Sequence, residues 1–397
     1  MVRWGVVFVV LSLGAAVEAF VYSIAYIASG WVSVPRYLVA LLSVWPPLWL
    51  LVGGVVFGPL ADFVGRRGAM FVSLVFYVVG ALGLILGTGY VLVLAFLALL
   101  LLAIGGDYNT ILTAMHEYFS GDVRGSLAYL VLNFTNLGGA LASALALLSV
   151  SVAIQRLALG MTLVVAIITL YMLRSRIPES PLWIARRDTT KARLEGRGVG
   201  IALPPLWVRV VVGGLIGWSY TAGFTLLALT LGPYYLPSLT NWLILVFSLS
   251  SFISGLPISL IADRVGRRLT LLLSSLGTVA TLTVMDLLIN ALIHAQPLFW
   301  ALFIVFSVLV NTYFLTEDVL KSEYWVTRRR GSLTALVRVI SLGGSIPVIF
   351  LSSYLPIGAY LIVDTAIFGV GLAASLAWYL IGVETGKGVS VEAWDHG

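Results

Sequence analysis

The sequence predicts an all-α integral membrane protein, with twelve transmembrane helices folded as two pseudo-symmetric six-helix bundles. Three observations predict it. Sixty per cent of the 397 residues are hydrophobic and only 10% are charged, against about 25% charged in ordinary soluble domains. Apolar runs of about 20 residues, each long enough to cross ~30 Å of hydrocarbon, follow one another with short breaks. A segment between two such runs, Ala61-Asp-Phe-Val-Gly-Arg-Arg67, returns as Ala262-Asp-Arg-Val-Gly-Arg-Arg268 with six of seven positions identical.

The repeat is not isolated. Glu117-Tyr118 is answered by Glu323-Tyr324, and Arg124-Gly-Ser-Leu127 by Arg330-Gly-Ser-Leu333. Two landmark pairs at nearly one offset mean a duplicated unit, and their position between apolar runs makes that unit a membrane bundle.

The predicted helices run over 4–28, 38–61, 69–88, 91–118, 126–150 and 157–173 in the first half. Those of the second half run over 207–231, 240–262, 269–292, 298–321, 332–353 and 357–383. The first begins after a lone Arg3 and continues past twenty residues with Glu18 inside it, which reads as a retained helix rather than a cleaved leader. Turn chemistry separates others: Gly-Thr-Gly at 87–89, Gly-Pro at 232–233 and Leu-Pro at 355–356. Glycine pairs inside the runs (Gly53-Gly54, Gly105-Gly106, Gly138-Gly139, Gly343-Gly344) mark places where membrane helices can approach closely. The expected organisation is a bundle over 1–173, a polar linker over 174–206, and a second bundle with a short tail over 207–397.

Basic residues set the orientation. Of the 23 lysines and arginines, all but Arg36, Arg156 and Arg338 fall on one side of this topology. That side, with both termini, is expected to be cytoplasmic, placing a multi-pass protein in the cell membrane. The net charge of +6 is then a signature of membrane orientation, not of nucleic-acid binding. With no cysteine, disulfides, thiolate catalysis and Cys-ligated metals are excluded, and His116, His294 and His396 are scattered. No metal site, cofactor or enzymatic nucleophile–base set is expected. The Asn133-Phe-Thr135 glycosylation triplet falls inside an apolar run and is a chance match.

GPLADFVGRRGAM at 58–70 resembles the signature of the major facilitator superfamily, and SLIADRVGRR at 259–268 resembles its second-half copy. PESPLW at 178–183, EYFSGDVRG at 117–125 and EYWVTRRRG at 323–331 resemble elements of the sugar-porter-like branch. The match touches both halves and the linker. Within the branch, Gly105-Gly106-Asp107-Tyr108 is similar to a run of the phosphate:proton symporters, where a first-helix carboxylate like Glu18 is also frequent. Departures are equally specific: Val21 stands where sugar porters carry an Asp, and Trp218-Ser219-Tyr220 where they carry paired glutamines. Arg338 lies a turn before the position of the phosphate symporters' lysine.

Charges deep in a membrane span are costly, so each is a functional candidate. Asp107 lies about 15 Å into its helix and Arg338 about 12 Å, while Glu18 is two-thirds of the way across the first. A buried carboxylic acid can gain or lose a proton as water access alternates between sides. Glu18 and Asp107 are therefore the candidate proton-exchanging groups, and Arg338 a partner for one of them or for an anionic solute. The plainer alternatives are a static buried pair, or Arg338 reaching back to the cytoplasmic face. Tyr108, Asn133, Asn136, Trp218, Tyr220, Asn311 and Tyr313 could shape a pocket, or could serve only as interhelical hydrogen bonds. Glu317 and Asp318 lie a helix turn from Lys321, and a local pair accounts for them.

The resemblance implies a different role for the duplicated charges. Asp62, Gly65, Arg66, Arg67, Glu117, Arg124 and Glu179, with Asp263, Gly266, Arg267, Arg268, Glu323 and Arg330, would form a latch holding the inner side closed. The latch reads as exposed ion pairs, each worth only ~0.2–1 kcal/mol, with the two glycines permitting tight turns. The resemblance implies a monomeric transporter working by alternating access on a small-molecule substrate. Proton symport of a small polar metabolite such as an organic acid leads, with a sugar or polyol facilitator as the alternative. A transporter-like nutrient receptor is a further alternative.

Overall fold

The computed structural model describes residues 4–31, 35–87, 89–119, 123–180, 183–184, 204–288, 295–325 and 330–386. Most of the predicted linker, together with Arg328, Arg329, Lys387, His294 and His396, lies outside the described residues.

Among the described residues, twelve helices are long and apolar enough to span a membrane. In the first half they are α1 (Trp4–Ile27), α2 (Arg36–Val64), α3 (Arg66–Leu86), α4 (Tyr90–Tyr118), α5 (Arg124–Leu148) and α6 (Val152–Arg174). In the second they are α7 (Leu206–Tyr235), α8 (Thr240–Ile261), α9 (Arg267–Leu287), α10 (Gln296–Glu323), α11 (Arg330–Ser352) and α12 (Ile357–Ile381).

Packing repeats between the halves. In the first, α1 packs on α5 and α6, α2 on α4, and α3 on α4 and α6; in the second, α7 packs on α11 and α12, α8 on α10, and α9 on α10 and α12. The halves meet along two seams related by the same symmetry, α5 against α8 and α2 against α11.

Glycine makes the closest crossings possible. A Cβ on Gly53 would sit 2.2 Å from the Leu102 carbonyl oxygen, and one on Gly138 would sit 1.9 Å from that of Ala16. Backbones in contact give van der Waals packing that lipid cannot replace. Side chains that face outward, such as Val75, Leu148, Val165, Leu260 and Ile362, are apolar and exposed, as a hydrocarbon solvent requires.

Two predicted boundaries are corrected. Gly232-Pro233 does not end α7; the helix passes through it by a π turn over Thr225–Thr230 and stops at Tyr235. The π turn absorbs the register change, and Thr230 Oγ1 donates to the carbonyls of Thr225 and Leu226. The α6 helix starts at Val152 rather than 157, because Ser151 caps it, its hydroxyl accepting from Ile154 N–H at 3.3 Å.

Candidate functional site: a central cavity and a symmetric latch

Between the halves, near mid-membrane, lies a cavity walled from both sides. Glu18, Tyr22 and Ser23 of α1, Tyr108 of α4, and Thr135 and Asn136 of α5 form one wall. The other is formed by Tyr220, Thr221 and Phe224 of α7, Phe247 and Ser248 of α8, Phe314, Asp318 and Lys321 of α10, and Arg338 of α11.

Aromatic rings pave the second wall. Tyr220 stacks on Phe224 with centroids 5.4 Å apart and planes 3° apart, and on Phe314 at 4.9 Å. Phe224 in turn meets Phe247 at 4.8 Å. The stack offers a flat apolar face beside hydroxyls and charges, the combination that binds small amphipathic solutes.

The charges are unequally satisfied. Lys321 Nζ lies 3.0 Å from Glu317 and also contacts Asp318. Asp318 further accepts a hydrogen bond from Tyr108 Oη of the opposite half. The local α10 pair expected from sequence is present, but it does not exhaust Asp318, which joins the halves at the cavity. Arg338 points into the cavity rather than toward the basic face; its guanidinium lies 5.0 Å over the Tyr108 ring, in a cation–π contact.

The other predicted cavity residues are placed variously. Glu18, Tyr108, Asn136, Tyr220 and Arg338 line the cavity. Asn133 and Asn311 stand behind Asn136, whose amide donates to both, at 3.1 and 2.8 Å. This chain ties α5 to α10 across the seam and continues to the carbonyls of Phe252 and Ser251. Trp218 packs over Gly344, and Tyr313 donates to the Ile216 carbonyl at 3.2 Å.

Asp107 is not among the lining residues. It is fully buried within the first half, 2.5 Å from Arg174 Nη2, with Tyr77 Oη at 3.3 Å and Ser73 Oγ at 3.4 Å. Arg174, read from sequence as part of the basic face, instead folds back from the end of α6 and is completely buried. Its Nη1 donates to the Met70 carbonyl at 2.6 Å.

On the basic side of the cavity the duplicated charges form two matching clusters. Arg66 clamps Glu117 with two hydrogen bonds, at 2.6 and 2.9 Å, and pairs with Asp62 at 2.8 Å. Glu179 accepts from the backbone N–H groups of Arg66 and Arg67, and Ser180 Oγ donates to Glu117 at 2.7 Å. In the second half Arg267 lies 3.6 Å from Glu323 and 3.4 Å from Asp263. There Glu384 accepts from the N–H of Arg267 at 2.7 Å and that of Arg268 at 3.4 Å, and Thr385 donates to Glu323. Glu384-Thr385 thus mirrors Glu179-Ser180, a correspondence too short to stand out in sequence.

Each cluster is internal to its half; on this side the aspartates bond across to the other half, as does Asn109, whose side-chain amide donates to the Gly331 carbonyl at 3.3 Å. Asp62 accepts from the Ser332 N–H at 2.9 Å and its hydroxyl at 2.7 Å, in the first turn of α11. Asp263 accepts from the Ser126 N–H at 2.7 Å, in the first turn of α5. A carboxylate there meets unpaired N–H groups and the positive end of the helix dipole. Gly331 and Gly125 permit the approach: a Cβ would lie 2.8 Å from an Asp62 oxygen in one case and 2.1 Å from an Asp263 oxygen in the other. The duplicated Arg-Gly-Ser-Leu carried this signal, but in its Gly and Ser rather than its Arg. Arg267 also reaches across, lying 5.2 Å over the Tyr129 ring. Arg330 donates to its own half, to the Trp325 carbonyl at 3.2 Å, and Arg124 opens α5 near Glu323.

Two expectations about these clusters are revised. Arg66, Glu117, Arg267 and Glu323 are buried, so their pairs are not exposed surface bridges. The tight-turn role falls on one glycine only: Gly65 has φ +93°, whereas Gly266 has an ordinary φ of −67°. A Cβ on Gly65 would also collide with the Glu179 carboxylate.

Two six-helix halves around a central cavity, tied on one side by a duplicated motif, give the fold seen in solved transporters of the major facilitator superfamily. Residues 38–196 match the sugar (and other) transporter family. The glucose transporter GlcP of Staphylococcus epidermidis is 29% identical over 147 residues, 36% of this chain, and the match spans a third (33%) of that relative's length. The fold is similar to that of the proton:xylose symporter XylE bound to 6-bromo-6-deoxy-D-glucose, with a TM-score of 0.78 at 14% identity over 98% of each chain. The inward-open xylose transporter XylE from E. coli gives 0.72 at 16% identity, again over 98% of each chain. The human organic anion transporter MFSD10 gives 0.70 at 12%, over 96% of this chain and 100% of that one. The matched segment contains the motifs at 58–70, 117–125 and 178–183 that resemble the sugar-porter-like branch.

Proposed function

We propose that the protein carries a sugar-class solute across a membrane, its halves (1–173 and 207–397, joined by 174–206) rocking about the central cavity to expose it to each side in turn. The observation that carries this reading is the cavity itself. Both halves line it, an aromatic stack faces hydroxyl and charged groups, and bonds that breaking could release tie the two halves on one side. The stack suits the C–H face of a pyranose, and Ser23, Thr135, Thr221 and Ser248 suit its hydroxyls.

The matched family and the glucose and xylose named for two relatives support a sugar over the small organic acid expected from sequence. The basic face is taken as cytoplasmic on the positive-inside bias, so the structure would be closed inward. A monomer in the cell membrane suffices, since the cavity is complete within one chain.

Proton coupling is a second reading, favoured by Glu18, a carboxylic acid on the cavity wall. Counterflow in liposomes with a panel of neutral and acidic monosaccharides tests the transport proposal. Exchange of at least one labelled monosaccharide is expected; exchange of none overturns it, and binding without exchange would mark a receptor.

A further inference from the structure

Two charged side chains in the cavity have no hydrogen-bonding or ionic partner among the described residues: Glu18 on α1 and Arg338 on α11. Arg338 is 5% exposed, lines the cavity, and leaves its buried Nη1 unbonded. Its guanidinium lies over the face of the Tyr108 ring. The remaining membrane charges near the cavity are accounted for. Lys321 sits between Glu317 and Asp318, Tyr108 donates to Asp318, and Arg174 holds Asp107.

Arg338 is the charge bearing most strongly on Glu18, followed by Asp318 of α10. The tyrosines that feel Glu18 are Tyr22 of α1, Tyr77 of α3, Tyr108 of α4 and Tyr220 of α7. With Glu18 ionised, Arg338 has a counter-charge nearby, and an incoming anion would add an uncompensated negative charge in low dielectric. With Glu18 protonated, the guanidinium is the uncompensated group, and its planar fork matches a carboxylate. A neutral sugar would leave that guanidinium buried without an ionic partner.

Resting on the sugar-transport reading, we propose that the preferred substrate is a monosaccharide bearing a carboxylate, held by Arg338, and that it crosses together with one proton on Glu18. The ring would lie on the Tyr220–Phe224–Phe314 stack. One anion and one proton move together, so each turnover carries no net charge.

The test compares D-glucuronate with D-glucose, which differ at C6, in liposomes containing the full-length protein. An inward pH gradient should accumulate D-glucuronate, and clamping the membrane potential at different values should not change the extent. D-Glucose should compete at least 10-fold more weakly. Arg338→Gln should weaken D-glucuronate competition by about 10- to 100-fold, as for loss of a charge-assisted hydrogen bond, with Arg338→Lys retaining part of it. Glu18→Gln should abolish gradient-driven accumulation, with a thermal melt like that of the wild type showing that the variant is folded. If D-glucose is carried as well as or better than D-glucuronate and Arg338→Gln leaves both unchanged, the inference fails and the sugar reading stands. If neither sugar is carried while succinate is, the sugar reading fails with it.

Discussion

Asp62 Oδ2 accepts hydrogen bonds from both the backbone N–H and the hydroxyl of Ser332, a residue of the opposite half. Asp263 makes the corresponding bond with the backbone N–H of Ser126 alone. Carboxylates seated on helix N-termini therefore help join the halves on the basic side, together with the Asn109–Gly331 bond and the Arg267–Tyr129 contact, while the arginine–glutamate pairs keep each half's own loop in shape. Separating the halves exchanges these few hydrogen bonds for water and leaves the buried ion pairs intact. That asymmetry suits a near-balanced conformational equilibrium better than breaking buried pairs, which costs ~3–5 kcal/mol each.

Asp62→Asn and Asp263→Asn are each expected to open the basic side. A hydrogen bond to a charged group is worth about 1.5–3 kcal/mol, so the open population should rise roughly 10- to 100-fold. The absence of native cysteine makes the measurement clean. An Asn109→Cys probe, buried beside Gly331 in this state, should label faster with a membrane-permeant maleimide in either background. Unchanged labelling would remove the aspartates from the latch.

Gly125→Ala and Gly331→Ala should produce the same opening by steric means, since each new methyl meets the opposing aspartate. Thermal stability should change little, because the collision lies between halves rather than within one. A large loss of melting temperature with no gain in labelling would contradict this.

Asp107→Asn should be chiefly a stability mutation. It strands Arg174 as a buried uncompensated charge, expected to cost about 3–5 kcal/mol. The double variant Asp107→Leu with Arg174→Met should recover much of that in detergent melting curves. If Asp107→Asn instead leaves the melting temperature unchanged and abolishes gradient-driven accumulation, Asp107 belongs to the proton path.

Gly53→Ala and Gly138→Ala should destabilise their halves, since each methyl would strike a neighbouring backbone carbonyl at about 2 Å. Overpacking of this kind typically costs ~1–3 kcal/mol. Circular dichroism melts of the two variants should fall below wild type; unchanged melts would mean the helix crossings relax freely.

Much of the architecture was readable because membrane solvation writes it locally. Spans follow from runs of apolar residues, and duplication from repeated loop motifs. The glycines at the crossings were visible as pairs. The site was readable only in part: Glu18, Tyr108 and Arg338 stood out as polar groups in apolar runs and do line the cavity. Asp107 stood out by the same rule and lies elsewhere, since depth along a helix does not say which way a side chain faces. Asp318 was set aside because a neighbouring lysine explained it, although a tyrosine 210 positions away also claims it.

The sequence by itself determined the solvent, the helix count and the two-fold repeat, because these depend on composition and on patterns within about 20 residues. Only the tertiary structure decided which charges are partnered. Arg174 reaches back to Asp107, Glu384 mirrors Glu179, and Asp62 finds Ser332 across the seam. Pairing depends on distances of a few ångströms between helices far apart in the chain, and burial decides whether such a pair is a screened contact or a costly one to break.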